Sequence, residues 1–269
     1  MIKPPIFVGG AGRSGTTLLR LFLDSHPNIT CGPEMKFVPM LCRAFTELDR
    51  IHGERLANNF NLARSDNAKI FGQHIVATME PYRVASGKPR IAEKTPQNIF
   101  QFEILRQVLS DSPLIQVLRD GRDVVRSLLS MNWFNLASGK PLPYTVDIEA
   151  AANYWVRSVE SGRKLLRQEN SNYFEIRFED LVERPEFALK QLFDFVGEPW
   201  SDAVLDYADA DHHLSIEDYN SQGEVPVRPV DRTRSGKWRE EWSVSETDIV
   251  RRVAGDLLVN LGYSDGEDW

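Results

Sequence analysis

The sequence is sparing with cysteine and histidine, lacks long apolar runs, and has no surplus of positive charge. Its two cysteines, Cys31 and Cys42, offer neither metal-ligand spacing nor a disulfide framework. Such sparing use fits a reducing compartment and predicts a soluble cytoplasmic protein. The apolar run Ile6-Phe7-Val8 near the N-terminus is far too short for a signal h-region or a membrane span. Lys and Arg total 32 against 39 Asp and Glu, a net charge of −7. That balance argues against broad nucleic-acid or anionic-membrane binding, while leaving room for a local basic pocket. No internal repeat or low-complexity segment is present.

What the chain does have is an ordinary globular composition. Its 269 residues are 42% hydrophobic and 26% charged, enough to bury a core without staples. With no composition shift, one domain over residues 1–269 is expected. Strands are predicted at Ile6–Val8, Leu114–Leu118 and Tyr173–Phe178, with a weaker one at Arg90–Lys94. Helical spacing covers Gly15–Leu23, Gln97–Leu109, Asp123–Met131, Asp147–Gln168, Glu186–Val196 and Ser245–Leu261. Strands alternating with helices imply an α/β fold, a parallel sheet covered on both faces. Asn132–Tyr144 and Ser215–Gly236 are expected as long loops, which in a compact domain tend to be functional or mobile.

The most informative segment is Gly9-Gly10-Ala11-Gly12-Arg13-Ser14-Gly15-Thr16-Thr17, set between a strand and a helix. Glycines let backbone N–H groups close around an anion, and the helix N-terminus adds its positive end. Ser14, Thr16 and Thr17 supply hydroxyl donors. Gly10 and Gly15 keep the spacing of the nucleotide-triphosphate loop, but Thr16 stands where its lysine belongs. Arg13 is the one cation inside the loop. A kinase needs that lysine and a magnesium ion for its terminal phosphates, so this loop suits a smaller anionic group.

Arg13-Ser14-Gly15-Thr16-Thr17-Leu18-Leu19 resembles the 5′-phosphosulfate loop of sulfotransferases that use 3′-phosphoadenosine 5′-phosphosulfate (PAPS). Leu118-Arg119-Asp120-Gly121-Arg122-Asp123-Val124-Val125-Arg126-Ser127 resembles the same family's 3′-phosphate segment, in which Arg119 and Ser127 take the phosphate-gripping places. Arg119 falls at the carboxyl end of a predicted strand, where open α/β sheets bind ligands. Cys31-Gly32-Pro33-Glu34-Met35-Lys36 resembles the tyrosylprotein branch, and there the resemblance makes Glu34 the catalytic glutamate and Lys94 the catalytic lysine. The segment around Phe178 resembles one near the nucleotide, with Phe178 where tyrosine is common. Ser235-Gly236-Lys237-Trp238 resembles the C-terminal PAPS loop, its serine position shared between Ser235 and Gly236. The branch's disulfide partner of Cys31 aligns with Ala92, its membrane anchor has no counterpart, and Lys36 replaces an arginine that reads acidic peptide.

Together these imply a PAPS-dependent sulfotransferase. Sulfuryl transfer needs a base for the acceptor hydroxyl and cations at the leaving phosphate oxygen. Glu34 is the expected base, and Arg13 and Lys94, with Ser235 as a helper, are the expected stabilisers. No metal is implied, because protein cations take the part that magnesium has in kinases. The competing readings are a P-loop kinase and a non-catalytic nucleotide-binding module. The resemblance favours a tyrosine-type acceptor, with a glycan, glycolipid or small-metabolite hydroxyl left open.

Other residues call for plainer readings. His26 suits a helix-ending turn, His212-His213 a solvated loop, and Trp155 the core. Arg122 and Asp123 suit a surface salt-bridge cluster. Trp133-Phe134 fits an acceptor-pocket wall and simple packing equally well.

Overall fold

A computed structural model describes residues 3–135, 138–168, 172–210, 212, 236–266 and 269. Its centre is a sheet of five parallel strands: β1 (Ile6–Gly10), β2 (Ile29–Cys31), β3 (Arg90–Lys94), β4 (Leu114–Leu118) and β5 (Tyr173–Arg177). Their spatial order is β2-β3-β1-β4-β5. The strands are short, and β1 and β4 are apolar and buried on both faces, as expected where parallel strands are covered by crossover helices.

The helices are α1 (Thr16–Ser25), α2 (Phe37–Phe60), α3 (Arg64–Ser86), α4 (Phe102–Val108), α5 (Gly121–Leu129), α6 (Ile148–Arg163), α7 (Phe178–Glu183), α8 (Pro185–Val196), α9 (Trp238–Glu241) and α10 (Val244–Asn260). Strand alternation divides the core. Ile6, Val8, Ile115 and Val117 pack with Leu19, Phe22, Leu189 and Phe193, from α1 and α8. Phe7, Ile91 and Leu114 turn the other way, onto Phe45, Ile75 and Phe102 of α2, α3 and α4. A third cluster gathers Val124, Trp155, Val250 and Leu258 from α5, α6 and α10. Trp155 is fully buried there, as its helical spacing predicted.

Several expectations need correction. The predicted helix Gln97–Leu109 divides into a 3₁₀ turn, Pro96–Gln101, and α4. Phe178 does not end β5; it starts α7. The short edge strand β2 and the long hairpin of α2 and α3 were not predicted. α2 buries only Val38, Pro39, Cys42 and Phe45, near its start, and α3 only Asn67, Ala68, Gly72, Ile75 and Met79, so no broad apolar stripe runs the length of either helix. Gly72 is required by packing, since a Cβ there would lie 2.0 Å from the Val108 carbonyl oxygen. The predicted loop Ser215–Gly236 lies outside the described residues except for Gly236. In the stretch Asn132–Tyr144, Phe134 pairs with Pro141 and a 3₁₀ turn begins at Pro143.

His212 is the clearest reversal. Far from being solvated, its ring is buried, with Nδ1 2.7 Å from Asp24 Oδ2 and Nε2 2.8 Å from the Tyr207 carbonyl oxygen. Both ring nitrogens thus face oxygen atoms of the protein. Its neighbour His213 lies outside the described residues. His26 ends α1 as expected. Among the described residues, no helix is long and apolar enough to cross a membrane.

Candidate active site

Parallel strands deliver their following loops to one edge, and the chemistry gathers there. Val8 of β1 stands opposite Lys94 of β3, Gly10 opposite Val117 of β4, and Leu118 opposite Arg177 of β5. The glycine loop, Lys94, Arg119 and Phe178 therefore leave the sheet side by side. Glu34 follows β2 at the same edge. This is the carboxyl edge at which open α/β sheets hold ligands.

The loop is held open by its own geometry. Gly15 caps α1 with φ +91°, and Arg13 has φ +72°, a left-handed conformation costly for a residue with a Cβ. That conformation is fastened from below: Arg119 Nη1 donates to the Arg13 carbonyl oxygen at 3.0 Å. The Arg13 side chain turns to α5, where its Nε donates to Ser127 Oγ at 3.0 Å. Ser14 is buried, its N–H on the Ala11 carbonyl oxygen at 3.1 Å, and Thr16 is buried in the first turn of α1. Thr17 sits beside it, half-buried.

Arg119 is locked from several sides. Its guanidinium stacks 4.3 Å over the Phe178 ring, and its carbonyl oxygen accepts from Trp155 Nε1 at 3.1 Å. Phe178 also presses on the loop, so that a Cβ on Gly15 would meet its ring at 2.3 Å. The next residue, Asp120, caps α5 through the Arg122 N–H, and its own N–H donates to Glu179 Oε1 at 3.0 Å. Arg119, Phe178 and the loop thus form one packed unit.

Lys94 and Glu34 meet directly. Lys94 Nζ donates to Glu34 Oε1 at 2.7 Å; the lysine side chain is 1% exposed and the glutamate 26%. The carboxylate is paired with the buried strand lysine and open on its other side to solvent.

At the C-terminal end, the Gly236 N–H donates to Asp123 Oδ2 at 2.8 Å, which fastens this loop to α5 between Arg119 and Ser127. Lys237 stands half-buried at the start of α9. Ser235 lies outside the described residues. The surface cluster expected of Arg122 is not found. Arg122 is buried, pairs with Asp120 at 2.7 Å and lies 4.5 Å from the Trp238 ring and 4.7 Å from that of Trp269. Asp123, also buried, accepts from Gly236 instead.

The model of the Sulfotransferase family matches residues 4–202, about three-quarters of the chain. The chain belongs to the sulfotransferase family. It is 26% identical over 281 residues to protein-tyrosine sulfotransferase 1 of Danio rerio, covering 97% of this chain and 72% of that one. Protein-tyrosine sulfotransferase A of Caenorhabditis elegans is 27% identical over 278 residues, with coverage of 97% and 67%. Nodulation protein NoeE of Sinorhizobium fredii is 26% identical over 274 residues, with coverage of 96% and 65%. Among solved structures, the sulfotransferase domain from the curacin biosynthetic pathway superposes with a TM-score of 0.62 at 21% identity, covering 96% of this chain and 98% of that one. Mouse sulfotransferase SULT7A1 complexed with PAP gives 0.53 at 15% identity, covering 97% and 86%. These structural likenesses bear on the fold.

This sulfotransferase also places residues at the site that the sequence did not announce. Tyr154 of α6 is a half-buried phenol whose oxygen accepts from the Gly12 N–H at 3.0 Å. Burial pushes it above its ordinary value, and the nearby Glu34 carboxylate adds to that push. Tyr144 stacks on it with ring centroids 4.2 Å apart. Trp133, half of the expected aromatic pair, lies against Gly12, about where a Cβ would meet its ring at 3.3 Å, whereas Phe134 is 54% exposed. A single tyrosine in an amphipathic helix carries no sequence signal for such a role.

Proposed function

We propose that this sulfotransferase transfers the sulfuryl group of PAPS to an acceptor hydroxyl, with residues 1–269 working as one catalytic domain. The observation that carries the reading is the Lys94–Glu34 ion pair at the strand edge that also bears the Arg13–Arg119–Ser127 cluster. That cluster is a set of cationic and hydroxyl donors, which suits two phosphate-bearing ends of one nucleotide. Loop N–H groups, Ser14, Thr16 and Thr17 would hold the 5′-phosphosulfate, Arg119 and Ser127 the 3′-phosphate, and Phe178 the floor beneath Arg119. Gly236 and Lys237 would close the nucleotide from the C-terminal side.

In this reading Glu34 takes the acceptor's proton as its oxygen bonds to sulfur. Lys94 and Arg13 meet the charge that develops on the phosphate oxygen as its bond to sulfur breaks. Protein cations carry this load without a metal.

Similarity along most of the chain to protein-tyrosine sulfotransferases supports a tyrosine-type acceptor. The aromatic wall of Trp133, Tyr144 and Tyr154 beside the loop suits a phenol ring. The net charge of −7 offers little to an acidic peptide, which keeps a glycan, glycolipid or small-metabolite hydroxyl as the second reading. Free, buried Cys31 and Cys42 support a reducing, cytoplasmic setting. The deciding experiment supplies ³⁵S-labelled PAPS with protein, lipid and small-molecule fractions of the native host. Label in protein tyrosine is expected; label confined to lipid or glycan would overturn the tyrosine acceptor and leave the transfer chemistry intact.

A further inference from the structure

We infer that Glu93 is a positioning residue whose buried carboxylate ties the segment carrying Glu34 to the strand end carrying Lys94. The inference rests on the reading above, in which Glu34 and Lys94 are the reacting pair.

The geometry is specific. Glu93 Oε1 accepts from the Met35 N–H at 3.0 Å and from Thr95 Oγ1 at 2.5 Å. The other oxygen accepts from Asn98 Nδ2, which also donates to the Val8 carbonyl oxygen at 3.2 Å. One side chain therefore clamps the residue after Glu34, the residue after Lys94, the 3₁₀ turn that follows, and β1. Consecutive strand residues point to opposite faces. Lys94 takes the carboxylate of Glu34, while Glu93 takes the backbone one residue further along, so the segment is held at two points by adjacent residues of β3.

A carboxylate suits this task. Three donors converge on it, and only the ionised form is purely an acceptor and makes the stronger, charge-assisted bonds. Yet Glu93 is fully buried, and desolvation pushes its carboxyl up to about 7 against the pull of those bonds and of Lys94. The titratable groups around it are Lys94 on its own strand and the thiols of Cys31 on β2 and Cys42 on α2, both pushed by burial to about 12. From the turn and from the Glu34 segment its partners are uncharged: Thr95, Asn98 and the Met35 amide. Near neutrality Glu93 is thus the group that gains a proton. A protonated oxygen set among donors loosens the Met35 clamp, and with it the placement of Glu34.

The test compares Glu93→Gln, Glu93→Ala and Glu34→Gln with the native protein between about pH 5 and 9, a range spanning ordinary carboxyl and amine values. The readouts are ³⁵S label passed from PAPS to a tyrosine peptide and to water, amide exchange at Met35, and thermal melting. Glu93→Gln is expected to fold and keep its KM for PAPS within about twofold. Its kcat should fall about ten- to a hundredfold, the scale set by small misplacements of reacting groups. Its pH profile should lack the step near 7 that ionisation of Glu93 gives the native protein, and Met35 should exchange faster. Glu93→Ala, if it unfolds, leaves Glu93→Gln to decide. Native kcat and an unchanged step in Glu93→Gln, beside an inactive Glu34→Gln, would overturn the role of Glu93 and leave the reading of the site standing. Full turnover by Glu34→Gln would overturn that reading and this inference with it.

Discussion

Arg119 is hydrogen-bonded to the backbone of Arg13, its Nη1 donating to the Arg13 carbonyl oxygen at 3.0 Å across 106 residues of sequence. Arg13 in turn reaches Ser127 on the helix that follows Arg119. Two segments that resemble phosphate-binding elements are thus one structural unit. This coupling frames the nucleotide experiments.

Arg119→Ala is expected to remove the preference for 3′,5′-adenosine bisphosphate over 5′-AMP. Losing a charge-assisted phosphate contact costs on the order of 1.5–3 kcal/mol, about tenfold or more in affinity. Because the variant also releases the Arg13 carbonyl, affinity for 5′-AMP should weaken slightly as well. Titration calorimetry reads both. Equal affinity of the native protein for the two nucleotides would contradict a 3′-phosphate site.

Glu34→Gln keeps the shape of the side chain and removes the proposed proton acceptor. Turnover should fall by about 10²–10⁴ with nucleotide affinity unchanged. Lys94→Ala should also slow turnover strongly, since it removes both a cation and the partner that orients Glu34. Retained turnover in Glu34→Gln would place the base elsewhere.

Gly15→Ala tests the packing of the loop. The new methyl meets the Phe178 ring and sits at φ +91°, so two penalties combine. Strain of this kind costs on the order of 1–3 kcal/mol, and nucleotide binding should weaken with it. Phe178→Leu added to Gly15→Ala should recover part of the stability by relieving the clash, but not the strain of the backbone. A melting temperature for Gly15→Ala equal to that of the native protein would refute this account.

Acid stability should depend on the Asp24–His212 pair. Burial raises the Asp24 carboxyl, but its bonds with His212 and the Cys31 N–H and the charge of Lys88 outweigh that, so it lies below its ordinary 3.8. A lowered folded value means stability that is complete above 3.8 and lost as the pH falls through the lower folded value. Asp24→Asn should therefore lower the melting temperature near neutral pH, and the gap from the native protein should close in strong acid. A gap that stayed constant with pH would assign the effect to packing alone.

Much of this was legible in the residues themselves. Ile6-Phe7-Val8 and Leu114–Leu118 are apolar enough to be buried parallel strands in any arrangement of the chain. The glycine spacing around Arg13 has few uses other than holding an anion, because it leaves N–H groups bare at a helix start. The strands β2 and β3 were faint for a physical reason: three residues at an edge, and a strand whose Arg90, Glu93 and Lys94 are polar yet buried. Hydropathy has no means of seeing a charge that becomes buried because its partner arrives from elsewhere.

The sequence by itself determined β1, β4 and the glycine loop at the start of α1, since local spacing and turn residues act over a few residues of chain. Only the tertiary structure decided the pairings. Lys94 finds Glu34, His212 leaves solvent for Asp24, and Arg122 leaves the surface for Trp238 and Trp269. Each depends on residues tens to nearly two hundred positions apart, which the register of the parallel sheet and the burial of its flanking helices bring within hydrogen-bond reach.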